Sequence, residues 1–279
     1  MGLGDDMMFL GEAEKIHKET GKKIYPVDGN SRSPMMENVE FLTWWQSDES
    51  EPYVKVNARQ NPSEEVDYNI PYYVNQKIYD GYGDKFEWNE EYKPVPFKLR
   101  FSAEEEHQAD VWEKQMPVPF SECIVVNPDV KNSFFKGNKD WGFHKWEGLT
   151  DRLYNMGYRV LRFKPPGKGY DEPFLQNALN ITDVPLRVAL CCKSRVKMGV
   201  TFDGLLSHFW AGAQVPCVRI VGDFMSTKTL HYDNNISIGL DENPTGALYP
   251  SRHCKEANQK ISVDMVFDKC IEMLNNINR

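Results

Sequence analysis

The chain has 279 residues, a formal net charge of −8 and 41% apolar residues. That suits one large or two modest α/β domains and excludes disordered and fibrous classes. The acidic balance, with no basic stripe, disfavours a protein whose main work is to grip nucleic acid.

In chain order, Asp5 or Asp6 is placed to cap a helix through MMFLGEAEKIHKETG, with Gly21 just past its end. Strands are predicted over 22–27 and 39–45, on either side of the turn-rich DGNSRSP. Between 46 and 100, short apolar runs such as PYVKV and IPYYV read as strands and loops. SAEEEHQADVWEK is a predicted helix, with Ser102 as N-cap and Glu105 completing a capping box. The MPVPF that follows marks a domain junction, dividing 1–118 from 119–279.

Beyond the junction, strands over 123–126, 158–163, 196–202 and 215–221 alternate with helices over 144–156, 183–193 and 205–213, and PPGKGYDEP reads as a loop. Ser262 caps a last helix. Such alternation with short links predicts a parallel sheet covered on both faces. No long apolar run and no leader peptide is visible, so the protein is expected to be cytoplasmic. The six Cys show no CxxC and no paired zinc spacing, and are expected to be reduced, mostly buried thiols. His253 and Cys254 lack the second pair that a metal site needs.

Four segments carry candidate chemistry. GLGDD opens the chain, and glycines ahead of a helix let a phosphate or sugar approach the backbone. Asp5 there is either a helix cap or a general base for an acceptor hydroxyl. NPDVKNSFFKGNKDWGFHKW follows a buried strand, at the end where open α/β sheets bind ligands. Its Ser133 and Lys139 offer a hydroxyl and a cation to a diphosphate, and Lys131, Lys136 and Lys145 extend a local basic cluster. Phe202-Asp203-Gly204-Leu205-Leu206-Ser207-His208 joins a strand to a helix, with unpaired N–H groups in its first turn. Val221-Gly222-Asp223-Phe224 follows the last core strand and reads as a ligand-facing loop or a plain turn.

The order and spacing of these segments resemble glycosyltransferase family 9, the ADP-heptose:lipopolysaccharide heptosyltransferases, and above all its smaller phage and bacterial members. GLGDDMMF is similar to that family's Gly-x-Gly-Asp motif, and NPDVKNSFFKGNKDWGFHKWEGLTDRLYNMGYRVL to its strand, Lys-x-Trp loop and helix. VKMGVTFDGLLSHFWAGAQVPCVRIVG is similar to its donor-site segment, and SRHCKEANQKISVDMVFDKCIEML to the carboxy-terminal region. The likeness spans about residues 120 to 279 and is thin over about 30 to 100.

The resemblance implies an α/β, GT-B-like fold of two Rossmann-like domains facing a cleft, residues 1–118 on the acceptor side and 119–279 holding the nucleotide sugar. Only Met1 stands ahead of the first glycine loop, so either the true start lies upstream or the small N-terminal domain lacks its first strand. The implied reaction is an inverting, metal-independent and cofactor-free transfer of a sugar from a nucleoside diphosphate sugar to a hydroxyl acceptor. A glycan or lipid-linked acceptor is favoured over DNA. Asp5 matches the family's base, Lys139 a donor-phosphate contact, and Asp203, Ser207 and His208 the donor segment. Gly204 and Leu205 depart from that motif, which leaves the contacts there to backbone donors. Other readings stay open: a same-fold epimerase or hydrolase, a non-catalytic nucleotide-sugar binder, and a transferase acting on hydroxymethylated phage DNA.

Overall fold

The computed structural model describes residues 2–27, 33–44, 52–57, 66–70, 73–79, 83–133, 136–165, 169–170, 172–242, 244–246 and 249–277, with backbone alone over 73–79 and 83–87. Two Rossmann-like domains with parallel sheets face a cleft. Helix α1 (Leu3–Thr20) opens the first. It starts at Gly2, ahead of the aspartates expected to cap it, because Asp5 from inside the first turn accepts the Gly2 N–H at 2.9 Å. Gly21 closes it in the left-handed region, at φ 69°. Strands β1 (Lys23–Pro26), β2 (Tyr53–Asn57) and β3 (Tyr68–Asn69) pair in parallel, in that order. All three follow α1. The strand expected over 39–45 is a single bridge between Ile24 and Leu42, since the chain turns through 34–41; residue 45 lies outside the described residues. Parts of the 46–100 stretch and of PPGKGYDEP also lie outside them. An antiparallel hairpin, β4 (Tyr73–Tyr79) and β5 (Gly83–Trp88), completes this half.

The second sheet has six parallel strands: β6 (Cys123–Asn127), β7 (Arg159–Phe163), β8 (Leu179–Ile181), β9 (Met198–Phe202), β10 (Cys217–Gly222) and β11 (Asn235–Gly239). Their spatial order is β11-β10-β9-β6-β7-β8. Counted from β6 this is the doubly wound order 3-2-1-4-5-6, whose direction reverses between β6 and β9. Asn127 donates to the Thr201 hydroxyl at 3.1 Å across that switch point. The edge strands β8 and β11 are short, LNI and NISIG, and stand among Asn- and Asp-rich turns, which is why their sequences do not announce them.

Helices α2 (Ala103–Gln115), α3 (Phe143–Asn155), α4 (Leu186–Lys193), α5 (Leu205–Ala213), α6 (Arg252–Lys260) and α7 (Val263–Ile277) complete the fold. The α2 capping box forms as expected: Ser102 Oγ accepts from Glu105 N at 3.2 Å, and Glu105 accepts from Ser102 N at 2.8 Å. One core lies between α3, α7 and the sheet, around Trp146, Leu149, Val200 and Leu274. The other runs without a break from α1 through α4 and α5 to the opposite face. The extended segment 92–100 is wedged between α1 and α5. A Cβ on Gly11 of α1 would meet Val95 O at 1.9 Å, and one on Gly212 of α5 would meet Phe97 O at 1.8 Å. Only glycine leaves room for backbone at that distance. This packing fixes how the first turns of α1 and α5 meet.

Candidate functional site

Three loops converge outside the carboxyl ends of β6, β9 and β10, the place where open α/β sheets bind ligands. Asp203 follows β9 directly and its carboxylate is buried. Lys139, from the loop after β6, donates to Asp203 Oδ2 at 2.9 Å and to Asp203 O at 3.3 Å, with its Nζ 4.5 Å from the centre of the Phe224 ring. Behind Asp203, fully buried Arg219 of β10 approaches Oδ1 at 3.5 Å. Its other donors go to Thr229 O, Leu230 O and the Ser237 hydroxyl. Burial alone raises the Asp203 carboxyl. The Lys139 ammonium and the Arg219 guanidinium outweigh it and hold the group at about 2.

His208, one turn into α5, is buried, and its Nδ1 shares a hydrogen bond of 2.9 Å with the Tyr232 hydroxyl. Burial pushes the imidazole down to about 4 despite the nearby Asp203 carboxylate. His208 is therefore neutral at physiological pH, a polar neighbour and not a cation. Gly204 is the N-cap of α5, and Ser207 Oγ donates to Gly204 O at 2.8 Å, so that hydroxyl is spent inside the first turn.

Asp5 stands across from this group, in the first turn of α1, and its charge is felt at His208. The two helix starts almost touch. A Cβ on Gly4 would lie 3.2 Å from Leu205 N and 3.3 Å from His208 Cδ2. Each helix N-terminus carries about half a positive charge and unpaired N–H groups. Two of them abutting, beside Lys139 and Arg219, form a site suited to an anion. Ser133 lies further along the loop; its carbonyl accepts from Lys136 N, and its side chain makes no hydrogen bond among the described residues.

The expected basic cluster does not assemble. Lys145 donates to Asn258 O, Gln259 O and Ile261 O, each at 2.8 Å, closing the C-terminus of α6. Lys136 pairs with Glu172 at 2.8 Å. Sequence proximity in a loop before an amphipathic helix does not place side chains on one face, and Lys139 alone reaches the Asp203 pair. Arg219 and Tyr232 were missed. An Arg within the apolar strand VPCVRIVG is a legible signal of a buried counter-charge, whereas nothing near Tyr232 marks it. All six Cys are free and buried, and among the described residues no cluster of His, Cys, Asp or Glu could hold a metal ion. No described helix is long and apolar enough to cross a membrane.

No protein-family model and no curated protein matches the chain. Solved structures do. A glycosyl transferase of family 9 from Veillonella parvula aligns over 99% of this chain and 95% of its own, at 12% identity and TM-score 0.65. Those figures leave no major part of either chain unmatched. The chain has a GT-B fold. The iron-containing dodecameric glycosyltransferase TibC from enterotoxigenic E. coli aligns over 100% of this chain and 74% of its own, at 13% identity and TM-score 0.57. The E. coli ADP-heptose lps heptosyltransferase II aligns over 65% of this chain, at 19% identity and TM-score 0.48, and the aligned part is 54% of its own length. The chain thus spans about half of that enzyme. At these identities the likeness carries the fold and not the activity.

Proposed function

We propose that the protein is an inverting, metal-independent glycosyltransferase that moves a sugar from a nucleoside diphosphate sugar to a hydroxyl acceptor of glycan or lipid-linked type. The observation that carries this is the meeting of the α1 and α5 N-termini at the switch point, beside Lys139. Residues 119–279 supply the donor side and 1–118 the acceptor side.

In this reading the diphosphate lies over the first turn of α5, taking the backbone N–H of Leu205. Asp203 spends two of the three Lys139 donor directions, which aims the ammonium and leaves its remaining N–H for a phosphate oxygen. As the bond from the anomeric carbon to the donor phosphate oxygen breaks, charge grows on the departing diphosphate; the helix N-termini and Lys139 stabilise it there. Asp5 takes the proton of the acceptor hydroxyl as its oxygen attacks the opposite face of that carbon. Ser207 and His208, both buried, shape the first turn of α5, and Ser133 contacts the donor from the loop after β6.

The test is donor turnover by Asp5→Asn and Lys139→Ala, assayed against ADP-, UDP-, GDP- and CDP-sugars. A carboxylate base and a charge-stabilising donor each contribute roughly 10²-fold or more. Turnover close to wild type in both variants removes the assignment.

A further inference from the structure

Beside the Lys139–Asp203 pair, at the carboxyl end of β10, lies a second charged pair. Asp223 is fully buried. Its Oδ2 is 2.8 Å from His253 Nε2, and its carbonyl accepts from Thr245 N at 3.0 Å and from the Cys254 thiol at 3.6 Å. Its other oxygen, Oδ1, is buried with no hydrogen-bond partner among the described residues. A carboxylate held this way needs a compensating charge, because a buried anion without a partner is strongly destabilising. His253 is the group placed to supply it. The carboxylate fixes the Nε2–H, so the ring's other nitrogen, Nδ1, is the one left to a ligand. The His253 side chain is 34% exposed whereas Asp223 is sealed, so the imidazole faces outward and the carboxylate inward.

The pair shares a frame with Lys139 on two sides. Asn138, the residue before Lys139, accepts from Ser251 N at 2.8 Å, donates to Tyr249 O at 2.8 Å, and accepts on its carbonyl from Asn258 at 3.1 Å. Those three bonds fasten α6, which carries His253, to the donor loop at both its start and its last turn. Phe224, directly after Asp223, carries the Lys139 ammonium on one contact and the Trp88 ring at 5.9 Å on another. His253 is the second residue of α6. Ser251 Oγ takes the Cys254 N–H at 3.3 Å, so the N–H groups of Arg252 and His253 remain as first-turn donors of α6.

We propose that His253 is a second cationic ligand for the donor's diphosphate, and that Asp223 is the residue that positions it. This rests on the reading of the site as one for a nucleoside diphosphate sugar. It adds a group from α6 to a site otherwise built by the first turn of α1 and the loops after β6, β9 and β10.

The experiment is isothermal titration of ADP, UDP, GDP and CDP, without metal, into wild type, His253→Gln, His253→Arg, Asp223→Asn, the Asp223→Asn/His253→Gln double variant and Lys139→Ala. For the tightest of the four, His253→Gln is expected to weaken binding about tenfold, or about 1.4 kcal/mol. His253→Arg restores it to within about threefold because the cation is kept. Binding of the parent nucleoside does not change. Asp223→Asn loses the same factor as His253→Gln, and the double variant loses no more, as for two residues acting through one contact. A structural role for Asp223 gives additive losses instead. If Asp223→Asn does not fold, the partly exposed His253 pair decides alone. Wild-type affinity in His253→Gln, alongside weakened binding in Lys139→Ala, overturns this inference and leaves the donor site standing. Unchanged affinity in Lys139→Ala, or no binding by wild type, overturns the donor site and this inference with it.

Discussion

Acidification is expected to unfold this protein through His208 before its paired carboxylates give way. His208 is buried between Asp203, Arg219 and Tyr232, and its imidazole is pushed from 6.5 down to about 4. The unfolded chain therefore binds a proton in a range where the folded chain does not. The sign follows: stability from this group is complete above about pH 6.5 and is lost as pH falls toward about 4. For pKa values of 6.5 and about 4, the loss between about pH 8 and pH 5 is about 2 kcal/mol. Asp203 adds its own loss only at lower pH, because its folded pKa is already about 2. Urea denaturation of wild type and His208→Gln at both pH values measures this. The variant starts less stable, since it repacks beside Tyr232, but its stability falls less on acidification, by about the 2 kcal/mol assigned to the ring. Equal slopes in the two proteins refute the assignment of a buried, neutral His208.

Two glycine positions separate close packing from turn geometry. Gly212→Ala places a methyl 1.8 Å from Phe97 O, and is expected to cost about 3 kcal/mol or more in denaturant melts. Gly21→Ala meets nothing within 4 Å but sits at φ 69°, so its cost is about 1 kcal/mol. A similar cost at both sites contradicts the placement of segment 92–100 between α1 and α5. Gly4→Ala sets a methyl 3.2 Å from Leu205 N, and is expected to weaken nucleoside diphosphate binding about tenfold with a smaller loss of stability; calorimetry and thermal melts together read both. Unchanged affinity there removes the α1–α5 junction from the site.

The second domain was legible because its signals are local. Buried strands read as short apolar runs, Ser102 and Ser262 announce helix starts, and Gly157 ends α3 in the left-handed region, at φ 90°. Asp203, Gly204 and His208 were placed at a strand end by the same alternation. What the sequence hid is long-range. Tyr232 lies 24 positions from His208, and only the fold brings them together. Lys139 and Lys145 sit six residues apart in one loop–helix segment, yet one faces Asp203 and the other closes α6. Their roles depend on which helix packs behind them. His253 and Cys254 lack the second pair that a metal site needs and show no role in the sequence, whereas the turn of α6 sends the imidazole to Asp223 and the thiol to Thr245. The first domain was harder because its strands are short, 4, 5 and 2 residues in β1, β2 and β3, and the last two lie in a stretch rich in Tyr, Asn, Asp and Pro.

The most direct test of the central claim is a crystal structure with the tightest-binding nucleoside diphosphate. The diphosphate is predicted to lie over the first turn of α5 beside its junction with α1, within hydrogen-bond reach of Lys139 Nζ and the Leu205 N–H. A diphosphate bound elsewhere, with the α1–α5 junction unoccupied, contradicts the account.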